Sequence, residues 1–408
     1  MKKIIYNTFI SLFLLSFIFI NGCADDPTAS LEGYPSQNLP APVLSTLEPS
    51  AQALAGITEI TITGTNFSAD ARNNLVYFNG VPGTILSATP TELTVKVPNV
   101  VADTVMVKIA VVGAQDFSNQ FQYKMVAAWE EYYPSFDPIA DKAYAFVFNN
   151  AGDMLVSIEN AGIKKISPQK VLSDYIPKGT AQFWNCLKFG PNNELYSSRT
   201  INAIWKLAEA IAPASPWVAL PAGVFAKDVE FDQLSNLWVV GAANKILRID
   251  QNKVVTTYTV TGTYKSARVF NNSLYVAGNK DTTEGVWKIP ILPNGDLDVA
   301  NQELYFDLSL SYTGKTAIAI TFAADGDLII GTDQDPDPLI VVHPDKSSEV
   351  LYPGVIKAGK VLFLNWTSTS NSLYFTRDLK KDATGKIVFS QTVIRVEMQK
   401  PGAPYFGN

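Results

Sequence analysis

The chain has 408 residues, with 32 Lys and Arg against 38 Asp and Glu, one His and two Cys. A net charge of −6 without a Lys/Arg-rich run leaves no electrostatic footprint for nucleic acid, so no such partner is expected. One histidine excludes His-based metal clusters, and two cysteines exclude a disulfide-built scaffold.

Lys2 and Lys3 precede an uncharged, Leu/Ile/Phe-rich run from Ile4 to Ile20, the positive head and apolar body of an export signal. The run falls short of the roughly 20 residues of a membrane span. Ile20-Asn21-Gly22-Cys23 resembles a bacterial lipobox, although Asn21 is a less usual occupant. The resemblance implies removal of residues 1–22, lipidation of Cys23 and attachment to a membrane through that lipid; an ordinary secretion signal is the alternative. Residues 23–41, rich in Pro, Ser, Asp and Ala, form a flexible tether with almost nothing to bury. With Cys23 lipidated, Cys186 in "FWNCLKF" has no disulfide partner and is expected as a small buried hydrophobe.

Residues 42–125 alternate with period two. "TEITITGTNF", "NLVYFNGVPGTIL", "TELTVKVP", "TVMVKIAV" and "NQFQYK" are short branched strands punctuated by turns, which predicts two facing sheets. Phe67, Val76, Phe78 and Phe121 are the expected core, with Gly64 and Gly80 meeting backbone needs at turns. These segments resemble an IPT/TIG domain, of immunoglobulin-like fold. That family implies a spacer or a packing or binding unit, with no catalytic residues to carry over.

A linker, residues 126–141, carries Trp129, Tyr132 and Tyr133, expected to join the two modules. Over residues 142–408 one pattern recurs six times: "FNNAGDMLVSI", "FGPNNELYSS", "FDQLSNLWVV", "FNNSLYVAG", "FAADGDLIIG" and "WTSTSNSLYFT". Its anchors are Leu155, Leu195, Leu237, Leu274, Leu328 and Leu373, and each is followed by a second strand such as "AIWKL" or "VIRV". A unit of about forty residues, all strand and turn, fits one propeller blade. The fold class is therefore all-β, an immunoglobulin-like sandwich followed by a six-bladed β-propeller. A seventh blade stays open in the long gap from Leu274 to Leu328, although Asn294-Gly295 at a turn and a fourth strand at "QELYFDL" account for it. The repeats resemble NHL-type six-bladed propellers.

Repeat equivalence removes most aromatics from consideration as a ligand platform. Trp366 takes the place of Phe148, Phe189, Phe231, Phe270 and Phe322, while Trp205, Trp238 and Trp287 fall in packing series. What remains stands near the starts of inner strands: Trp184, Asn185, Lys227, Asp228, Lys265 and Arg268 are the candidate ligand-binding set, a polar cup with one aromatic wall, against a plain solvated rim. In "GTDQDPDPL", Asp333, Asp335 and Asp337 alternate, a spacing that suits calcium in an extended loop or simply three solvated carboxylates. Otherwise no cofactor is expected.

No nucleophile elbow, phosphate loop or paired-cysteine site is present. Propeller lactonases, dehydrogenases and lyases keep a metal-dependent enzyme in view, yet no Glu, Asn and Asp set matches their motifs. A lipoprotein carrying a sandwich and a propeller resembles cell-surface proteins of Bacteroidota, and Asp25 and Asp26 resemble, imperfectly, their outward-sorting tag. The expectation is an outer-membrane lipoprotein facing the exterior. It would bind an extracellular polysaccharide or protein without catalysis, within a surface or uptake complex, with a pure scaffold as the alternative.

Overall fold

The computed structural model describes residues 38–357, 359–366 and 368–406. The expected export signal, Cys23 with its lipid, Asp25, Asp26 and nearly all of the tether lie outside the described residues. Two compact units divide between Ala127 and Ala128.

The first unit is a β-sandwich. One sheet orders Val43–Glu48, Glu59–Thr65, Glu92–Lys96 and Thr84–Ala88; the other orders Ala53–Leu54, Phe121–Val126, Ala102–Val111, Asn74–Phe78 and Val81–Pro82. Alternation along Glu59–Thr65 sends Ile60 and Ile62 inward against Phe67, Val76, Phe78, Leu93 and Val95, and its threonines outward. Burying each such side chain contributes about 1.5–3 kcal/mol relative to exposure. Phe121 packs only at the margin; Tyr123 and Met125 on the same strand fill the interior. At Gly64 a Cβ would meet the Val43 carbonyl oxygen at 1.9 Å, so close strand approach requires glycine there.

The second unit has six four-stranded blades. Their first strands are Ala143–Phe148, Cys186–Gly190, Asp228–Phe231, the second part of Val255–Phe270, Ala317–Phe322 and Val361–Trp366. Each contacts the first strand of the next blade, and the sixth returns to the first, closing a ring around a channel. Val255–Phe270 serves two blades, the outer strand of the third and the inner strand of the fourth. The long gap is absorbed within blade four, whose outer strand is Glu303–Asp307, so among the described residues it holds no seventh blade.

The supposed linker is part of the propeller. Trp129–Glu131 pairs antiparallel with Thr392–Glu397 as the outermost strand of blade six, so the ring is latched by residues preceding its first blade. Trp129 Nε1 donates to the Val355 carbonyl at 2.8 Å, and Arg377 and Arg395 pair with Glu131 and Glu130 at 2.5 and 2.9 Å. Tyr132 packs edge-on to Phe148 and Tyr374, and Tyr133 to Phe136. These side chains pack within the disc.

Strand pairing also corrects the repeat register. Met154, Leu195, Leu237, Leu274, Leu328 and Leu373 face Phe148, Phe189, Phe231, Val269, Phe322 and Trp366 on the first strands. The anchor of blade one is thus Met154 rather than Leu155, and blade four presents Val269 rather than Phe270. Each correction is one residue, which in a strand exchanges the two faces.

Candidate functional site

The corrected register defines two levels in the channel. One step before the anchor-facing residue stand Val147, Lys188, Glu230, Arg268, Thr321 and Asn365, toward the C-terminal ends of the inner strands. Glu230 is shared there: Lys188 Nζ donates at 2.8 Å and Arg268 Nη1 at 3.0 Å, with all three side chains nearly or fully buried. Burial is the largest influence on Lys188 and works against its charge, but the Glu230 carboxylate together with Tyr405 and Asp228 outweighs it and holds the pKa above the ordinary range.

The chain's own C-terminal tail occupies part of this level. Arg268 Nη2 donates to the Ala403 and Pro404 carbonyls, each at 2.9 Å. The Tyr405 ring lies under Arg268 and Lys188, and its hydroxyl reaches Thr321 Oγ1 at 3.2 Å. Gly402 bridges to Ala323, where a Cβ would strike the Trp366 ring at 2.7 Å. Beside the tail lies a cleft of about 940 Å³ that includes Tyr132, Lys188, Asn365, Arg395 and Tyr405.

Three residues earlier on each first strand lies the second level: Tyr144, Asn185, Lys227, Lys265, Ile318 and Leu362, one per blade. All six line a cavity of about 470 Å³ at the N-terminal mouth of the channel. An odd spacing would put the two levels on opposite faces of a regular strand. A bulge at the start of every first strand resolves this. The pairing skips a residue in blades one, four, five and six. In blades two and three the Asn185 and Lys227 amides donate to the Ser198 and Val240 carbonyls, whose residues already pair with Cys186 and Asp228. The extra residue re-aims the side chain, and six bulges compose the mouth.

Around the mouth the chemistry is divided. Asn185, Lys227 and Lys265 form a polar arc; Ile318, Leu362 and Phe363 form an apolar one. Tyr144 and Phe183 are stacked at 3.9 Å and 6°, and Phe225 is 49% exposed. Lys265 pairs with Glu284 at 3.5 Å, whereas Lys227 is exposed and no carboxylate comes within pairing distance of it among the described residues. None of the cavity-lining residues is acidic.

Residues 42–125 match the IPT/TIG domain. No functionally curated protein matches the chain. Among solved structures, a provisionally named phosphatase from Bacteroides thetaiotaomicron is similar over 90% of this chain and 98% of its own, at 10% identity and a TM-score of 0.55. An auxiliary nutrient binding protein from the same organism is similar over 89% of this chain and 99% of its own, at 9% identity and a TM-score of 0.49. Virginiamycin B lyase from Staphylococcus aureus is similar over 64% and 86%, at 12% identity and a TM-score of 0.43. At 10% identity the first of these likenesses is one of fold.

Of the six residues expected to share one cup, the structure brings together Asn185, Lys227 and Lys265. Trp184 is 3% exposed and packs edge-on to Trp205 of the same blade, its amide donating to Ser157 Oγ of blade one at 2.9 Å; it offers no open face. Asp228 turns inward, accepting from Ser266 Oγ and the Ala267 amide at 2.8 and 3.0 Å, and ties blade three to blade four. Arg268 belongs to the plugged level. The aromatic members of the mouth, Tyr144, Phe183 and Phe225, were missed because two belong to loops and Tyr144 occupies a bulge that breaks the period.

The structure does not gather the three aspartates into one cluster. Asp333 accepts from the Thr316 amide and Gln334, Asp335 pairs with Lys380, and Asp337 accepts from the Gly354 amide. Each carboxylate has a different partner, and among the described residues no three His, Cys, Asp or Glu groups gather to hold a metal ion. His343 is held by Asp327 at 2.9 Å, following the third strand of blade five.

Proposed function

We propose that this protein is a non-catalytic binding protein, anchored at the outer membrane through Cys23 and facing outward, which takes an extracellular glycan at the N-terminal mouth of its propeller channel. One observation carries the reading: all six blades contribute to a single open cavity whose walls combine exposed aromatic surface, an amide and a lysine that has no carboxylate partner among the described residues, while the chain's own tail occupies part of the channel farther in. A volume of 470 Å³ lies within the range of small-molecule sites, roughly 300–1,000 Å³. Sugar rings present apolar faces to aromatic side chains and hydroxyls to amides and ammonium groups, which suits this division. The sandwich and tether would hold the disc away from the membrane.

The test is a glycan and extracellular-protein array probed with the chain beginning at Ala24, beside Phe225→Ala and Asn185→Ala variants. Retention of glycans by the parent and its loss in both variants supports the reading. Retention of proteins alone, or glycan binding indifferent to both substitutions, overturns it. Protease treatment of intact cells tests orientation, since full protection would count against outward exposure.

A further inference from the structure

Resting on that reading of the mouth, we infer that the ligand is an acidic sugar, a ring bearing a single negative charge as carboxylate or sulfate ester, held by Lys227 on the polar arc with its apolar face toward the aromatic and aliphatic arc.

The chain as a whole carries a net charge of −6, so an excess of positive charge at a concave site runs against its average. Six positions form the ring of the mouth, and its only charged members are Lys227 and Lys265, on adjacent blades. Lys265 has its own counter-ion in Glu284, whose Oε1 is also engaged by the Ala317 amide at 2.9 Å. Asp228, next to Lys227 in sequence, is committed to Ser266 and Ala267 and is 8% exposed, so it does not neutralise its neighbour. Among the described residues one ammonium therefore lacks a carboxylate partner, and one negative charge is what the site can match. A multiply charged phosphate would outnumber the available cation, and a neutral sugar would leave it unmatched.

The same ring favours a sugar over a flexible fatty anion. Asn185 Nδ2 donates to the Ala226 carbonyl at 3.2 Å, which fixes the amide and turns its oxygen into a positioned acceptor for a hydroxyl beside Lys227. Thr200 adds a second hydroxyl-compatible group on the same wall. Across the mouth, Ile318, Leu362 and Phe363 offer no hydrogen-bonding side chain.

The experiment compares matched polysaccharides on the soluble chain beginning at Ala24: polygalacturonate with its methyl-esterified form, a carrageenan with its desulfated form, and neutral galactan. Each is titrated against the parent, Lys227→Met and Phe225→Ala at two salt concentrations. The inference expects binding of at least one charged member, about tenfold or more lost on esterification or desulfation, a similar loss in Lys227→Met, and weakening by salt. Loss on esterification assigns a carboxylate, and loss on desulfation a sulfate ester. Equal binding of charged and neutral forms, sensitive to Phe225→Ala but not to Lys227→Met, overturns the acidic sugar and leaves the mouth as the site. Binding insensitive to both substitutions, or no binding to any member, overturns both.

Discussion

The Arg268 guanidinium lies 3.5 Å from the centre of the Tyr405 ring while donating to the Ala403 and Pro404 carbonyls, so an inner-strand cation of blade four grips the end of the chain. The tail is a structural plug. A truncation before Pro401 removes two charge-assisted hydrogen bonds and a desolvated cation–π contact, and is expected to cost on the order of 3–5 kcal/mol. The urea unfolding midpoint measures it; an unchanged midpoint would show that the tail merely rests on the disc.

Glu230 should matter more than any surface carboxylate. Its removal leaves Lys188 and Arg268 buried without their shared counter-ion, and breaking such a pair costs about 3–5 kcal/mol. Glu194, paired with the half-exposed Lys206, supplies the contrast, since surface pairs contribute about 0–1 kcal/mol. Glu230→Ala and Glu194→Ala, compared by denaturant unfolding, should therefore differ severalfold; equal effects would contradict the buried network.

Trp184→Ala and Phe225→Ala should behave in opposite ways. The first empties a packed site against Trp205 and is expected to cost about 3–5 kcal/mol, with the ligand preference of the surviving folded protein unchanged. The second removes a ring that is 49% exposed and should change binding with little effect on stability. Melting and titration of both variants separate the roles, and the reverse pattern would restore Trp184 as a platform.

Sandwich and propeller were legible because both follow the period-two rule and the anchor leucines repeat. Asn185, Lys227 and Lys265 were legible because they precede the inner strands at similar offsets. Arg268 was misplaced because Phe270 was aligned with Phe231, whereas pairing sets Val269 there and moves Arg268 one step deeper. The long-range relations were not legible: nothing local in "PGAPYFGN" states that Tyr405 will meet Arg268, and nothing in "WEEYY" states that Trp129–Glu131 will pair with the last blade. Bulges hid the mouth, because a period-two reading ends where the extra residue enters.

Cys186 tests the packing between blades two and three by chemistry. Its side chain is fully buried, with Sγ 3.2 Å from Ser198 Oγ, and burial pushes the thiol pKa up to about 12, helped by the nearby Asp228 charge. At pH 8 both access and thiolate are lacking. In the chain beginning at Ala24, which contains no other cysteine, a thiol reagent should modify nothing in the native state and one group after denaturation. Ser198→Ala removes the hydroxyl that donates to the Ala226 carbonyl at 3.0 Å, a tie from blade two to the segment entering blade three, and should raise the native labelling rate by allowing local opening between those blades. Rapid labelling of the parent would mean that this seam is open, and an unchanged rate in Ser198→Ala would mean that the Ser198 hydroxyl does not hold it closed.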